Sequence, residues 1–203
     1  MIAIIDYGVG NLFSLRASLE KIGAEAVVTS DPSVIKSSDK LILPGVGAFE
    51  DASKKLTATK LDILIKDQAA GGKPLLGICL GMQLLFERSY EFGCHEGLGL
   101  IKGEVKPLEG YIQSGLKIPQ IGWNALNIVR PDCEIFKYSR QGDFVYFVHS
   151  FFGSECDESV AADTEYGGRV TAAVWNKNVY GCQFHPEKSG EKGLCILKAF
   201  AEL

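Results

Sequence analysis

Short apolar runs alternate with helical periodicity through the first half of the chain. Ile2 to Ile5, Ala26 to Thr29, Lys40 to Leu43 and Leu75 to Ile78 are aliphatic and too short for helices, so each reads as a buried strand. Between them, Leu12, Leu15, Leu19 and Ile22 form one apolar helical face up to Gly23. Further helical segments run from Phe49 to Leu56 and from Leu61 to Ala70, before Gly71-Gly72. Strands alternating with helices predict βα units, and so an α/β fold of three layers around a mixed, mostly parallel central sheet.

After the segment Leu80 to Phe86, which reads as a helix, the texture changes. Ser89 to Gly99 is loop-like. Ile101 to Val105, Asn124 to Val129, Phe144 to Val148, Val160 to Thr164, Val170 to Trp175 and Val179 to Phe184 have strand character, with no long helix between them. No repeat, low-complexity tract or linker separates this half. It is expected to extend the same sheet, partly antiparallel, with Gly190 to Leu203 as a closing amphipathic helix and residues 1–203 as one domain.

Composition narrows the function classes. The 203 residues are 46% hydrophobic and 23% charged with a net charge of −4, and Lys and Arg form no block, so neither nucleic acid nor an anionic membrane is expected as a partner. The N-terminus lacks the basic start of a signal peptide, and no apolar run approaches the roughly 20 residues of a membrane span; a cytoplasmic location is the expectation. Six cysteines lie scattered without a Cys-x-x-Cys, which supports neither a zinc site nor a disulfide framework. Gly8-x-Gly10 follows the first strand but has Phe13 at the third glycine position of a dinucleotide loop and Ala26 near where the ribose-binding acid would fall, so no nucleotide cofactor is expected.

The chemistry concentrates at the junction of the fourth strand and its helix. Cys79 sits at that corner within Gly77-Ile-Cys79-Leu-Gly81, a nucleophile-elbow frame with sulfur in place of a serine oxygen. A side chain pushed out on so sharp a turn needs neighbours without Cβ atoms, and a helix N-terminus favours a thiolate. The alternative is a merely buried structural cysteine, the commoner state of an isolated thiol. A distant motif weighs against it: in His185-Pro186-Glu187, two residues of extended chain place the imidazole and carboxylate on one side, as a base and its orienter require. Both groups are expected at the mouth of a cleft and outside the core. Of the other histidines, His95 reads as solvated and His149 as a hydrogen-bonded structural residue. Pro44-Gly-Val46-Gly47, at the carboxyl end of the third strand, is either an oxyanion-hole loop or a flexible connection.

Gly-Ile-Cys79-Leu-Gly-Met-Gln83, His185-Pro-Glu187 and the Pro44 to Gly47 loop together resemble the class I (triad) glutamine amidotransferases. With Asp6 to Asn11, Pro119-Gln-Ile-Gly-Trp-Asn124 and Tyr146-Phe-Val-His-Ser150, the chain resembles more narrowly the family of glutaminase subunits of imidazole glycerol phosphate synthase, from Ile2 to the closing helix. One departure is Gln120, where that family often has histidine; an amide keeps hydrogen bonding and cannot become charged. The resemblance implies that Cys79 attacks the side-chain amide of glutamine while His185 protonates the departing ammonia. It also implies oxyanion donors at Leu80 and in the Val46-Gly47 loop. Gln83, Glu91, Ser150 and Phe151 would hold the amino-acid end of glutamine, although a lone Glu91 in a polar loop is also what solvent alone would produce. A (β/α)8-barrel cyclase subunit would accept the ammonia in a heterodimer, docking around Asn11, Ser14 and Trp123. Three rival readings fit the same residues. They are an amidotransferase serving another pathway, a cysteine peptidase or hydrolase on a similar sheet, and a binding protein with an inactive site.

Overall fold

The computed structural model describes residues 1–203. Its first half runs β1 (Ile2–Ile5), α1 (Leu12–Lys21), β2 (Ala26–Thr29), α2 (Pro32–Ser37), β3 (Lys40–Leu43), α3 (Phe49–Ala58), α4 (Leu61–Ala70), β4 (Leu75–Ile78) and α5 (Leu80–Leu84). The strands coincide with the four aliphatic runs. Helix α2 carries no readable periodicity because Ile35 is its one buried residue. Its start signal is local: the Asp31 side chain accepts a hydrogen bond from the Ser33 N–H, and Pro32 occupies the first turn.

The second half contains β5 (Arg88–Ser89), β6 (His95–Glu96), β7 (Glu104–Pro107), β8 (Gln120–Ala125), β9 (Asn127–Ile128), β10 (Phe144–His149), β11 (Phe151–Ser154), β12 (Val160–Glu165), β13 (Arg169–Asn176), β14 (Val179–Cys182) and α6 (Gly190–Ala201). The central sheet has the order β2-β1-β3-β4-β14-β13-β12-β9. It is parallel from β2 to β14 and antiparallel beyond.

The expectation that every later strand extends this sheet is corrected. β10 pairs with β8 in a separate ribbon, and β11, β7, β5 and β6 form a four-stranded sheet of their own. Single residues cause the division. Only Ser150 separates β10 from β11, so the chain leaves one sheet and enters the other within a step. Leu126 likewise divides the expected Asn124 to Val129 strand into β8 and β9. The run from Ile101 pairs only from Glu104, because at Gly103 the backbone has φ +118° and a Cβ would lie 2.6 Å from the Ser154 carbonyl oxygen. At the loop-like 89–99 segment, β5 and β6 form a two-residue pairing, Arg88 with Glu96 and Ser89 with His95.

Alternation along the buried strands distributes their side chains between two cores. Ala3, Ile5, Leu41, Leu43 and Leu75 pack with α3 and α4 through Phe49, Leu56, Leu61 and Ile65. Ile2, Ile4, Ile42, Leu76 and Ile78 pack on the other face with Leu15 and Leu19 of α1 and Ile196, Leu197 and Phe200 of α6. The result is the expected three layers. Because β3, β4 and β14 are parallel neighbours in register, with Leu43 opposite Gly77 and Gly77 opposite Gly181, their following loops emerge on one edge. That edge is where the site forms.

Candidate active site

Cys79 leaves β4 with φ 55° and ψ −110°, a left-handed backbone that a non-glycine residue adopts at a cost on the order of 1–3 kcal/mol. Two hydrogen bonds hold the corner. The Cys79 N–H donates to the Cys182 carbonyl at 2.7 Å, and the Gln83 N–H donates to the Cys79 carbonyl at 3.1 Å. The sulfur projects toward β10 and the segment after β14, 4.0 Å from the Val148 carbonyl oxygen and 3.8 Å from Gln183 Nε2.

His185, directly after the sheet, keeps the extended geometry imposed by Pro186, with φ −100° and ψ 100°. Its Nδ1 lies 2.8 Å from Glu187 Oε1. A carboxylate only accepts, so Nδ1 carries the proton, and Nε2 faces the interior without a partner of ordinary hydrogen-bond geometry. Both side chains are buried, at 2% and 3% exposure, which corrects the expectation that they stand at the mouth of a cleft. The reason is the ribbon: the His185 N–H donates to the Tyr146 carbonyl, and Ser189 Oγ ties the His185 carbonyl to the Tyr146 N–H, so β10 covers the pair. Burial alone would lower the His185 pKa, but the neighbouring Cys79 thiol and Glu187 carboxylate outweigh it and raise the ring to about 9. His149 behaves oppositely. Its Nδ1 is 2.9 Å from the Phe151 carbonyl oxygen, as expected of a structural histidine, and burial lowers its pKa to about 4, so it stays neutral. His95 is 3.9 Å from Glu50, with Nε2 enclosed, and is not the freely solvated residue expected.

A cleft of about 430 Å³ opens beside the sulfur, and Val46, Gly47, Leu80, Gln83, Glu91, Ser150 and Phe151 all contribute to its wall together with Cys79 and His185. Tyr7 Oη donates to the Pro44 carbonyl at 2.7 Å, closing one end of the Pro44 to Ala48 loop. Gly45 is wedged against the elbow, where a Cβ would meet Gly81 N and Leu80 Cβ at 2.9 Å. Val46 is 41% exposed, and Gly47 has φ +99° with open space around it, so this peptide is the loosest part of the loop. Gln83 Nε2 donates to the Phe151 carbonyl at 2.8 Å and to Gln183 Oε1 at 3.0 Å. Glu91, in place of free solvation, accepts the Phe49 N–H at 2.6 Å.

Two residues not singled out in the sequence also belong to the site: Lys188 lines the cleft, and the fully buried Gln183 lies behind it, touching Gln83 and the Cys79 sulfur. Gln183 lies two residues before His185 on an extended segment, so period-two alternation could have found it; Lys188, exposed at the cleft's rim, had no such signal. Asn11 and Ser14 are half-buried and Trp123 is half-exposed, and none of the three lines the cleft. Gln120 is fully buried, donating to Asn124 Oδ1 at 3.1 Å with its own Oε1 unpartnered.

A three-layer sheet with an elbow cysteine and a paired histidine on one edge is the architecture of the class-I glutamine amidotransferases, and the model of that family, described as glutamine amidotransferase class-I, matches residues 3–202. The chain belongs to this family and, within it, with the HisH subunits of imidazole glycerol phosphate synthase. It is 52% identical over 205 residues to the HisH subunit of Caldanaerobacter subterraneus subsp. tengcongensis, covering 100% of this chain and 98% of that one. It is 46% identical over 206 residues to that of Bacillus subtilis, covering 100% and 96%. Among solved structures, a crystal structure described as a glutamine amidotransferase superposes with a TM-score of 0.76 at 16% identity, covering 100% of both chains. PurLQS from Thermotoga maritima gives 0.75 at 23%, covering 99% of this chain and 97% of that one. These last two likenesses concern the fold.

Proposed function

We propose that this enzyme is the glutaminase subunit of an imidazole glycerol phosphate synthase, hydrolysing glutamine at Cys79 and delivering ammonia to a cyclase subunit. The observation that carries the reading is the Cys79 sulfur at the head of a cleft beside a buried His185 whose far nitrogen is held by Glu187. The His185 pKa of about 9 keeps the ring protonated at neutral pH, so it can act as a proton donor beside the sulfur. The thiolate attacks the side-chain carbonyl carbon of glutamine and forms a C–S bond. The carbonyl oxygen becomes an oxyanion, received by the N–H of Leu80, one of the unpaired donors at a helix start, and by an N–H of the Val46-Gly47 loop. Collapse breaks the C–N bond, and His185 Nε2 gives its proton to the departing ammonia. The ring, now neutral, takes a proton from water as that water attacks the thioester; the C–S bond then breaks, which releases glutamate and returns the sulfur and the protonated ring to their starting state. Gln83, Glu91 and the backbone of Ser150 and Phe151 hold the amino-acid end of the substrate.

The partner reading rests on the HisH relatives and on chemistry. Free ammonia is mostly protonated at neutral pH and no longer nucleophilic, so a productive subunit stays idle until an acceptor docks. We assign that acceptor to a (β/α)8-barrel cyclase forming a heterodimer around Asn11, Ser14 and Trp123 in the cytoplasm. Docking favours the Val46-Gly47 peptide orientation that completes the oxyanion hole, a population shift that requires the cyclase to bind that state more tightly. The test is glutaminase turnover by the pure chain, then with the cyclase, then with the cyclase and its nucleotide ligand. Rising rates are expected. Equal rates in all three would remove the coupling, and turnover of peptides without glutamine turnover would favour a peptidase.

A further inference from the structure

We infer that Glu91 is a positioning residue for the oxyanion loop, joining occupancy of the amino-acid end of the cleft to the placement of the Val46-Gly47 peptide. The inference rests on the glutamine-binding reading above and goes beyond it. Helix α3 begins immediately after the loop, and its N-cap is Ala48, whose side chain can accept nothing. The missing acceptor comes from far along the chain: Glu91 Oε2 takes the Phe49 N–H at 2.6 Å, a charge-assisted contact at the positive end of a ten-residue helix. Glu91 is itself fixed, its N–H donating to Oγ of the fully buried Ser89 at 3.2 Å. The loop is therefore tied at both ends, by Tyr7 at Pro44 and by Glu91 at Phe49, with its loose Val46-Gly47 peptide between.

Glu91 lines the cleft, and a carboxylate has about four lone-pair sites, so one oxygen can hold the Phe49 N–H while the other is left for a substrate ammonium. One side chain then touches both the group that identifies the substrate and the loop that stabilises its transition state. An amide without the ammonium leaves Glu91 unfixed on the cleft side and gains less from the oxyanion donors. Reciprocity follows: what orders the loop also tightens the ammonium site.

The full chain with Glu91→Ala and Glu91→Gln separates the two roles, using 5-oxopentanoate as the probe. This aldehyde accepts the Cys79 sulfur at its carbonyl carbon and the thiol proton at its oxygen, giving a thiohemiacetal that uses the oxyanion donors and carries no ammonium. Its affinity is read as protection of Cys79 from iodoacetamide. Glutamine in Glu91→Gln can still accept the Phe49 N–H, so affinity is expected to stay within about twofold of the parent. Glu91→Ala loses the cap and should bind the probe about tenfold more weakly, the scale of a lost helix cap. Equal affinity in the parent and Glu91→Ala, or equal weakening in both variants, overturns the inference. The ammonium contact is judged separately: both variants should raise the KM for glutamine, and an unchanged KM in Glu91→Gln would remove glutamine's amino group from Glu91 while leaving the aldehyde result intact.

Discussion

Gly81 lies so close to Leu43 that a Cβ on it would overlap the Leu43 carbonyl oxygen. Across the corner, a Cβ on Gly77 would come within 2.7 Å of the Gly81 carbonyl oxygen and of Met82. The two glycines that flank Cys79 thus solve different problems. Gly77 lets the helix start fold back over its own strand, and Gly81 lets that start approach the neighbouring strand β3. Gly81→Ala, with backbone on the opposing side, is expected to yield insoluble or unfolded protein, checked by circular dichroism and by recovery after expression.

Cys79 should be the only cysteine that a glutamine-mimicking diazo-ketone modifies, as read by mass spectrometry of the labelled peptide. Burial raises Cys133 to about 12 and Cys156 to about 11, and holds Cys182 well above the ordinary thiol range, which leaves the exposed Cys94 and the half-buried Cys195 as the informative competitors. Equal labelling of Cys94 would remove the special status of the elbow thiol.

His185→Ala is expected to lower glutamine turnover by on the order of 10²- to 10⁴-fold, with Glu187→Gln retaining a larger fraction because orienting a base matters less than being one. Burial of the pair changes what stability should do. His185→Ala leaves the enclosed Glu187 carboxylate without its partner and should destabilise the fold by about 3 kcal/mol, whereas Glu187→Gln keeps an acceptor for Nδ1–H and should cost less. Chemical denaturation of the two variants gives the comparison.

The His185 ring should titrate near 9 by NMR and fall back toward lower pH in Cys79→Ala, since the sulfur is one of the two groups that raise it. A histidine whose folded pKa lies above its unfolded value of about 6.5 stabilises fully below that pH and loses the contribution as pH rises through about 9. Melting temperature should therefore decline over that window more steeply in the parent than in His185→Asn.

His149 works in the other direction. Its folded pKa of about 4 lies below the unfolded value, so the unfolded chain takes up a proton first and stability falls as pH drops from about 6.5 toward 4. His149→Asn, which can still donate toward the Phe151 carbonyl, should flatten that acid limb in a melting-temperature series while lowering stability at neutral pH.

Elements that repeat a short physical rule were legible in the sequence; those set by a partner distant along the chain were not. Four aliphatic runs could only be buried strands, and the glycines around Cys79 announced a crowded corner. By contrast, Phe144 to Val148 reads as an ordinary strand, and nothing in that run says that it pairs only with β8, outside the main sheet. That one assignment decides the burial of His185 and Glu187. Glu91 shows the same limit: its solvated reading was reasonable for a polar loop, and the Phe49 N–H that overturns it lies beyond any local pattern.

The position of β14 governs when the protein can become reactive. It is the last strand of the chain, yet it sits in the middle of the sheet between β4 and β13, and its Cys182 carbonyl holds the Cys79 N–H. During synthesis the elbow strand therefore waits, with β3 on one flank and nothing on the other, until Val179–Cys182 has been made. Closing so long a loop is a slow, late event in folding. The same insertion brings His185 and Glu187 to the sulfur, so a nascent or truncated chain carries the thiol without its base, and chemical competence arrives in one step with completion of the sheet.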